Sequence, residues 1–213
     1  MAYVVAILNS KGGAGKSTLS SNIARCLQLK GLNVLLADSD PQGTLRDWRQ
    51  TDQHNEQPTV VGVDRPNLHR DLPKLAPSFD FIIIDGAAKL QEMVASSVKA
   101  ADIVLIPIQP SAADVWGCRD LVSLIQARQE VAEGKPKTAF IVNRQIKNTK
   151  LATDIMKVLE EYNIPVFKSR TTQRVIYAEA LSAGTTVLDV EIEGLAAVEI
   201  QNIVHELLEL ING

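Results

Sequence analysis

Residues 9–18 read Asn9-Ser10-Lys11-Gly12-Gly13-Ala14-Gly15-Lys16-Ser17-Thr18, and their reading decides the fold. An apolar run, Tyr3-Val4-Val5-Ala6-Ile7-Leu8, precedes them, and a helical pattern carrying Leu19, Ile23 and Leu27 follows. Strand, glycine-rich loop and helix in that order make a phosphate-binding loop. Gly12, Gly13 and Gly15 lack a Cβ, so the backbone can wrap closely around an anion. Successive N–H groups from this loop, through Ala14 to Thr18, and the positive end of the helix then point at it. Lys16 reaches the β- and γ-phosphates in such a loop, and the Ser17 hydroxyl coordinates Mg²⁺. The plain alternative is a glycine turn with two exposed lysines, which the flanking strand and helix disfavour.

Outward from this loop the chain alternates. Strands are expected at Tyr3–Leu8, Asn33–Ala37, Thr59–Val63, Asp80–Ile84, Ile103–Pro107 and Thr138–Val142. Helices are expected at Lys16–Lys30, Thr44–Thr51, Leu68–Leu75, Leu90–Lys99, Ala113–Val131, Leu151–Tyr162, Gln173–Ala183 and Leu195–Ile211. Near-continuous apolar strands between helices predict an α/β fold with a doubly wound, mostly parallel sheet. Ligands then sit beyond the carboxyl ends of the strands. With 213 residues, 46% hydrophobic and 4% aromatic, the chain fits a single domain over 1–213 with an aliphatic core. Cys26 and Cys118 are isolated and suit a reduced, cytoplasmic protein. No secretory leader is visible, and no apolar run approaches the roughly 20 residues of a spanning helix.

Two further strand ends carry carboxylates. The second strand runs into Asp38-Ser39-Asp40-Pro41-Gln42-Gly43, and the fourth, Phe81-Ile82-Ile83-Ile84, ends in Asp85. Asp38 and Asp40 can both face the crevice, or form an acidic turn that caps the strand. The sixth strand ends in Asn143, and Pro107-Ile108-Gln109-Pro110 leads to Ser111 and Asp114, either of which can cap a helix.

The loop departs from the general pattern at its first position, where Ser10 replaces glycine, and Lys11 stands before the double glycine. This K-G-G-x-G-K-S form resembles the deviant Walker A loop of the ParA/MinD class of P-loop ATPases. Asp38–Gln42 resembles that family's D-x-D-P-Q motif, and Phe81–Asp85 its Walker B strand. The resemblance implies ATP and Mg²⁺ as ligands and Lys11, Lys16 and Asp40 as the catalytic set. Asp40 orients the attacking water, while Asp38 and Asp85 hold the metal through water beside Ser17. Lys11 reaches across a nucleotide-sandwich homodimer, as an arginine finger does, and Asn143 lies against the adenine edge. Asn143 as a plain turn residue remains open.

The family also contains membrane-bound and cluster-carrying members. The last helix carries Glu199, Glu206 and Glu209 with no lysine or arginine, which disfavours an anionic membrane. No C-x-x-C pair is present for a cluster. Net charge is −3, yet from Arg128 to Arg174 ten Lys/Arg face five Asp/Glu, and from Val175 onward seven Asp/Glu face none. Lys147, Lys150, Lys168, Arg170 and Arg174 are the candidates for sequence-independent, salt-sensitive DNA binding. The chain resembles the compact partition ATPases, which implies plasmid DNA segregation on the nucleoid with a ParB-like, centromere-bound partner. The alternative is positioning of a non-DNA cargo, such as a microcompartment, a chemoreceptor cluster, or a secretion or cellulose system.

Overall fold

The structure, a computed structural model, describes residues 2–88, 90–146 and 150–213, with the side chains of 150–154 outside that description. In chain order the elements are β1 (Tyr3–Ile7), α1 (Lys16–Leu29), β2 (Val34–Asp38), α2 (Thr44–Thr51), β3 (Thr59–Gly62), α3 (Leu68–Leu75), β4 (Phe81–Asp85) and α4 (Gln91–Ala100). There follow β5 (Ile103–Ile108), α5 (Ala112–Gly117), α6 (Arg119–Val131), β6 (Lys137–Val142), α7 (Lys150–Glu160), α8 (Val175–Ser182), α9 (Val187–Val190) and α10 (Leu195–Asn212).

The six strands form one parallel sheet in the order β3-β2-β4-β1-β5-β6. Side chains alternate between its faces, as the pleat requires. Val5, Ile7, Leu36, Ile83, Leu105 and Ile141 pack on one side with α1 and α10. Ala6, Ile82, Ile84, Val104, Ile106 and Phe140 pack on the other with α3, α4 and α6. Both faces are covered, so β2, β4 and β5 are buried along their whole length. That is why these strands read as continuous apolar runs.

The expected elements are present, with two corrections. The helix expected over Ala113–Val131 is two helices, α5 and α6, joined at Cys118. Gly117 is a weak helix former, and the Ser10 hydroxyl occupies its carbonyl from outside the helix. The single turn α9 was not expected. It is too short to show a period, and a capping box between Thr186 and Asp189 holds it.

The register fixes the site. Parallel pairing sets Asp38 directly opposite Asp85, and Asp85 opposite Ile7, the last residue of β1. Three separate stretches of sequence thus end side by side at the carboxyl edge of β2, β4 and β1.

Candidate functional site

Gly13 and Gly15 have φ of 79° and 88°, the left-handed region where a side chain is strained. A Cβ on Gly15 would also run into Asn143 Nδ2. The loop therefore requires glycine at position 15 on two counts. Gly15 caps α1 without any side-chain bond, and the first turn of α1 contains no acidic residue. The helix begins with amide donors that no side chain caps, facing a cleft of about 570 Å³ lined by Gly12, Gly13, Lys16, Thr18, Asp40 and Pro41. This cradle fits a phosphate chain.

Lys16 is buried, and its Nζ lies 3.4 Å from the Lys11 carbonyl. Burial lowers its pKa, while Asp85 and Asp40 act in the opposite direction. Asp85 is buried and accepts hydrogen bonds from Ser17 Oγ at 2.7 Å and Ser20 Oγ at 3.2 Å. Burial is the main reason its pKa is pushed up to about 7; Asp38 adds to the rise, and the Ser17 bond and Lys16 moderate it. A carboxylate raised in this way has too little positive charge beside it. Ser17, Asp85 and the neighbouring Asp38 are a hard oxygen set that fits Mg²⁺ held partly through water.

Asp38 is equally buried, which raises its pKa against the hydrogen bonds it accepts. Its Oδ1 accepts the Asp40 N–H at 3.1 Å, and its Oδ2 accepts the Arg46 N–H at 3.2 Å and Arg46 Nε at 3.4 Å. Arg46 also donates to the Asp40 carbonyl at 3.0 Å. Asp38 thus ties the first turn of α2 to the Asp40 turn, and Asp40 lines the cleft.

Lys11 forms an ion pair with Asp114 of the same chain. Asp114 is buried at the start of α5, where it also accepts from Ser111 Oγ at 2.9 Å and the Gln109 N–H at 3.2 Å. Ser111 caps α5 through the Asp114 N–H, as one of the two sequence readings had it. Gln109 Nε2 donates to the Gly13 carbonyl at 2.8 Å. Asn143 donates to the Ala14 carbonyl at 2.7 Å and accepts from Thr171 Oγ1, so its amide braces the loop. It also lines a second cleft of about 400 Å³, with Thr18, Arg144, Gln173, Val175 and Leu181. Thr18, Arg144 and Leu181 line both clefts, so a nucleotide base has room next to its phosphates.

Arg46, Gln109 and Ser20 take part in the site and were missed from the sequence. Arg46 and Ser20 lie between motifs and no spacing marks them, while Gln109 falls in the proline-containing stretch without a role of its own. Lys147 lies outside the described residues, as does the side chain of Lys150. Lys168 and Arg170 sit on the loop before α8, where Glu206 of α10 accepts the backbone N–H groups of Lys168 and Ser169. Arg170 donates to Gln145, and Arg174 is paired with Glu199 at 3.3 Å. Acidic residues of α10 therefore lie beside part of the basic stretch, at Lys168, Ser169 and Arg174.

A parallel sheet with this loop, a carboxylate-bearing fourth strand and uncapped amides at α1 defines a P-loop nucleotide hydrolase. Residues 5–187 match the CobQ/CobB/MinD/ParA nucleotide-binding domain, and the chain belongs to that family. It is a small ParA-family ATPase. It is 28% identical over 211 residues to Maintenance of carboxysome distribution protein A of Halothiobacillus neapolitanus, with 97% of each chain covered. It is 27% identical to Protein ParA of Rhizobium radiobacter, covering 85% of this chain and 83% of that one. Apo McdA of Cyanothece shares the fold at a TM-score of 0.79 and 18% identity, over 98% of this chain and 100% of that one. MinD of Pyrococcus furiosus does so at 0.77 and 20%, over 99% and 100%. Among the described residues, no helix is long and apolar enough to cross a membrane.

Proposed function

We propose that the chain is an ATP-gated positioning ATPase, dimeric with ATP, that distributes a large cytoplasmic cargo together with a separate partner protein. The observation that carries this reading is Lys11. It is a second loop lysine, its side chain 46% exposed, held beside the phosphate cleft by Asp114 of its own chain. In this reading Lys11 leaves Asp114 to meet the phosphates of a facing copy, which makes dimerisation the nucleotide-dependent step.

In this reading all 213 residues act as one ATPase domain. The loop amides and Lys16 hold the phosphates, and Ser17, Asp38 and Asp85 would hold Mg²⁺, the carboxylates through water. The metal supplies neutralising charge at the phosphate oxygens. Asp40 orients the attacking water in line with the leaving oxygen, so positioning carries much of the rate. Lys11 adds charge from the facing copy, and Asn143 borders the base.

A protein assembly is the favoured cargo, supported by the end-to-end match to a carboxysome distribution protein. The second reading is plasmid DNA, supported by the match to a ParA. It uses a ParB-like partner and non-specific binding to the nucleoid through Lys147, Lys150, Lys168, Arg170 and Arg174.

The test begins with light scattering in ATP and in ADP. Wild type should double in mass with ATP only, Lys11→Ala should stay monomeric, and Asp40→Ala should accumulate as dimer while turning over slowly. One mass in every nucleotide state refutes the gating. Deleting the gene from its host then separates the cargoes: clumped protein assemblies support the first reading, and plasmid loss the second.

A further inference from the structure

Four exposed apolar side chains fall in one short stretch between Val190 and Val198. Val190, Ile192, Leu195 and Val198 stand 55%, 51%, 65% and 38% exposed. Leu195, Val198 and Gln201 follow one another at helical spacing on one side of α10. Gln201 Nε2 donates to the Ile192 carbonyl at 3.1 Å, which lays the loop between α9 and α10 along that side. A groove of about 330 Å³ opens beside it, lined by Ile176, Val187 and Leu195 and edged by Glu191 and Glu193. Single exposed apolar residues are ordinary, but four along one short stretch, with Leu195 lining a groove, mark a binding surface.

The sign of the charge selects the occupant. Arg174, on the groove's rim, is paired with Glu199, and no lysine or arginine occurs from residue 175 to the end of the sequence. A second copy bound face to face would set Glu191 and Glu193 near their own equivalents, a like-charge contact. Anionic lipid and nucleic acid are repelled for the same reason. A cationic, apolar partner meets neither penalty.

We propose that this surface docks an amphipathic helix of a partner protein, apolar along one stripe and bearing lysine or arginine at its margins. The surface shares no residue with the phosphate cleft, so the proposal stands apart from the roles given to that site. Leu195 and Ile192 are the apolar anchors. Glu191 and Glu193 set orientation, association rate and salt dependence.

Fluorescence anisotropy on the full chain tests it, with a labelled synthetic helix of leucine and lysine and a scrambled peptide of the same composition. Ile192→Ser with Leu195→Ser removes the anchors without changing charge. Glu191→Gln with Glu193→Gln does the reverse. The helix should bind wild type better than the scramble does. The serine pair should lose about tenfold or more, as truncated anchors do. The glutamine pair should lose several-fold and flatten the salt dependence. ATP binding and melting temperature should be unchanged in both pairs, which separates lost docking from lost fold. No binding, or equal binding by helix and scramble or by wild type and serine pair, overturns the proposal. So does a nucleotide-independent dimer that the serine pair abolishes, which assigns the groove to a second copy. Sedimentation with phosphatidylglycerol vesicles that depends on Leu195 overturns it in favour of a membrane.

Discussion

Asp85 is buried and the Asp189 side chain is partly shielded, and each carboxylate accepts hydrogen bonds from hydroxyl groups. Asp85 stands at the phosphate cleft with Ser17 and Ser20 as donors, and it has no salt-bridge partner among the described residues. Asp189 stands at the opposite side of α1. It accepts from Thr186 Oγ1 at 2.7 Å and Gln57 Nε2 at 2.9 Å, and pairs with Arg25 at 2.7 Å. Burial acts upward on both. At Asp85 it wins, and the pKa rises to about 7. At Asp189 the bonds from Thr186, Gln57 and Arg25 outweigh it, and the carboxyl is held below its ordinary value. One region satisfies its own charge and works as a clamp joining α1, the α2–β3 loop and α9. The other leaves a demand for positive charge that a ligand must meet. A desolvated carboxylate is therefore a sign of function here only where the protein does not neutralise it.

The largest expected effect breaks the ligand side of this comparison. Lys16→Ala should weaken ATP binding by about a hundredfold or more, the scale of losing a hydrogen bond between charged groups together with its desolvated partner. Titration with labelled ATP reads it, and the melting temperature without nucleotide should hardly move. Arg25→Ala makes the opposite break. It removes the Asp189 partner at a partly exposed site and should cost about 1–2 kcal/mol in urea unfolding, with ATP affinity per folded molecule unchanged. If the two substitutions have the same profile, the division between clamp and ligand site fails.

A smaller effect tests the link between Asp38 and the cleft. Arg46 bonds both Asp38 and the Asp40 carbonyl. Arg46→Ala should lower kcat by about tenfold through loss of orientation, with KM nearly constant, and Arg46→Lys should recover part of it. Equal changes in kcat and KM would make Arg46 a structural residue only.

A separate effect is a pH dependence. A folded-state pKa of about 7 against an ordinary 3.8 means that the folded chain binds this proton more tightly than the unfolded chain does. Stability without nucleotide should fall as pH rises from about 4 to about 7 and then level off. Asp85→Asn should remove that part of the slope, and Mg²⁺ with ATP should restore stability to wild type at pH 8 but not to the variant. Thermal melts across this range read all three arms.

The sequence by itself determined the phosphate loop, the order of the motifs and the class of sheet. These are local matters. Left-handed backbone at Gly13 and Gly15 favours glycine, and strands buried on both faces must be apolar throughout. It also placed Lys16, Ser17, Asp38, Asp40 and Asp85 at strand or helix ends facing one crevice. Tertiary structure alone decided which side chains meet. Lys11 and Asp114, and Asn143 and Ala14, lie more than a hundred positions apart. They are joined only because β1 sits between β4 and β5, with β6 beyond. The spread of charge was decided the same way. Read along the chain, a basic zone precedes an acidic tail; in space, α10 brings Glu199 and Glu206 onto that zone. Electrostatic energy depends on distance through space, and the order of residues along a chain does not fix that distance until the sheet is assembled.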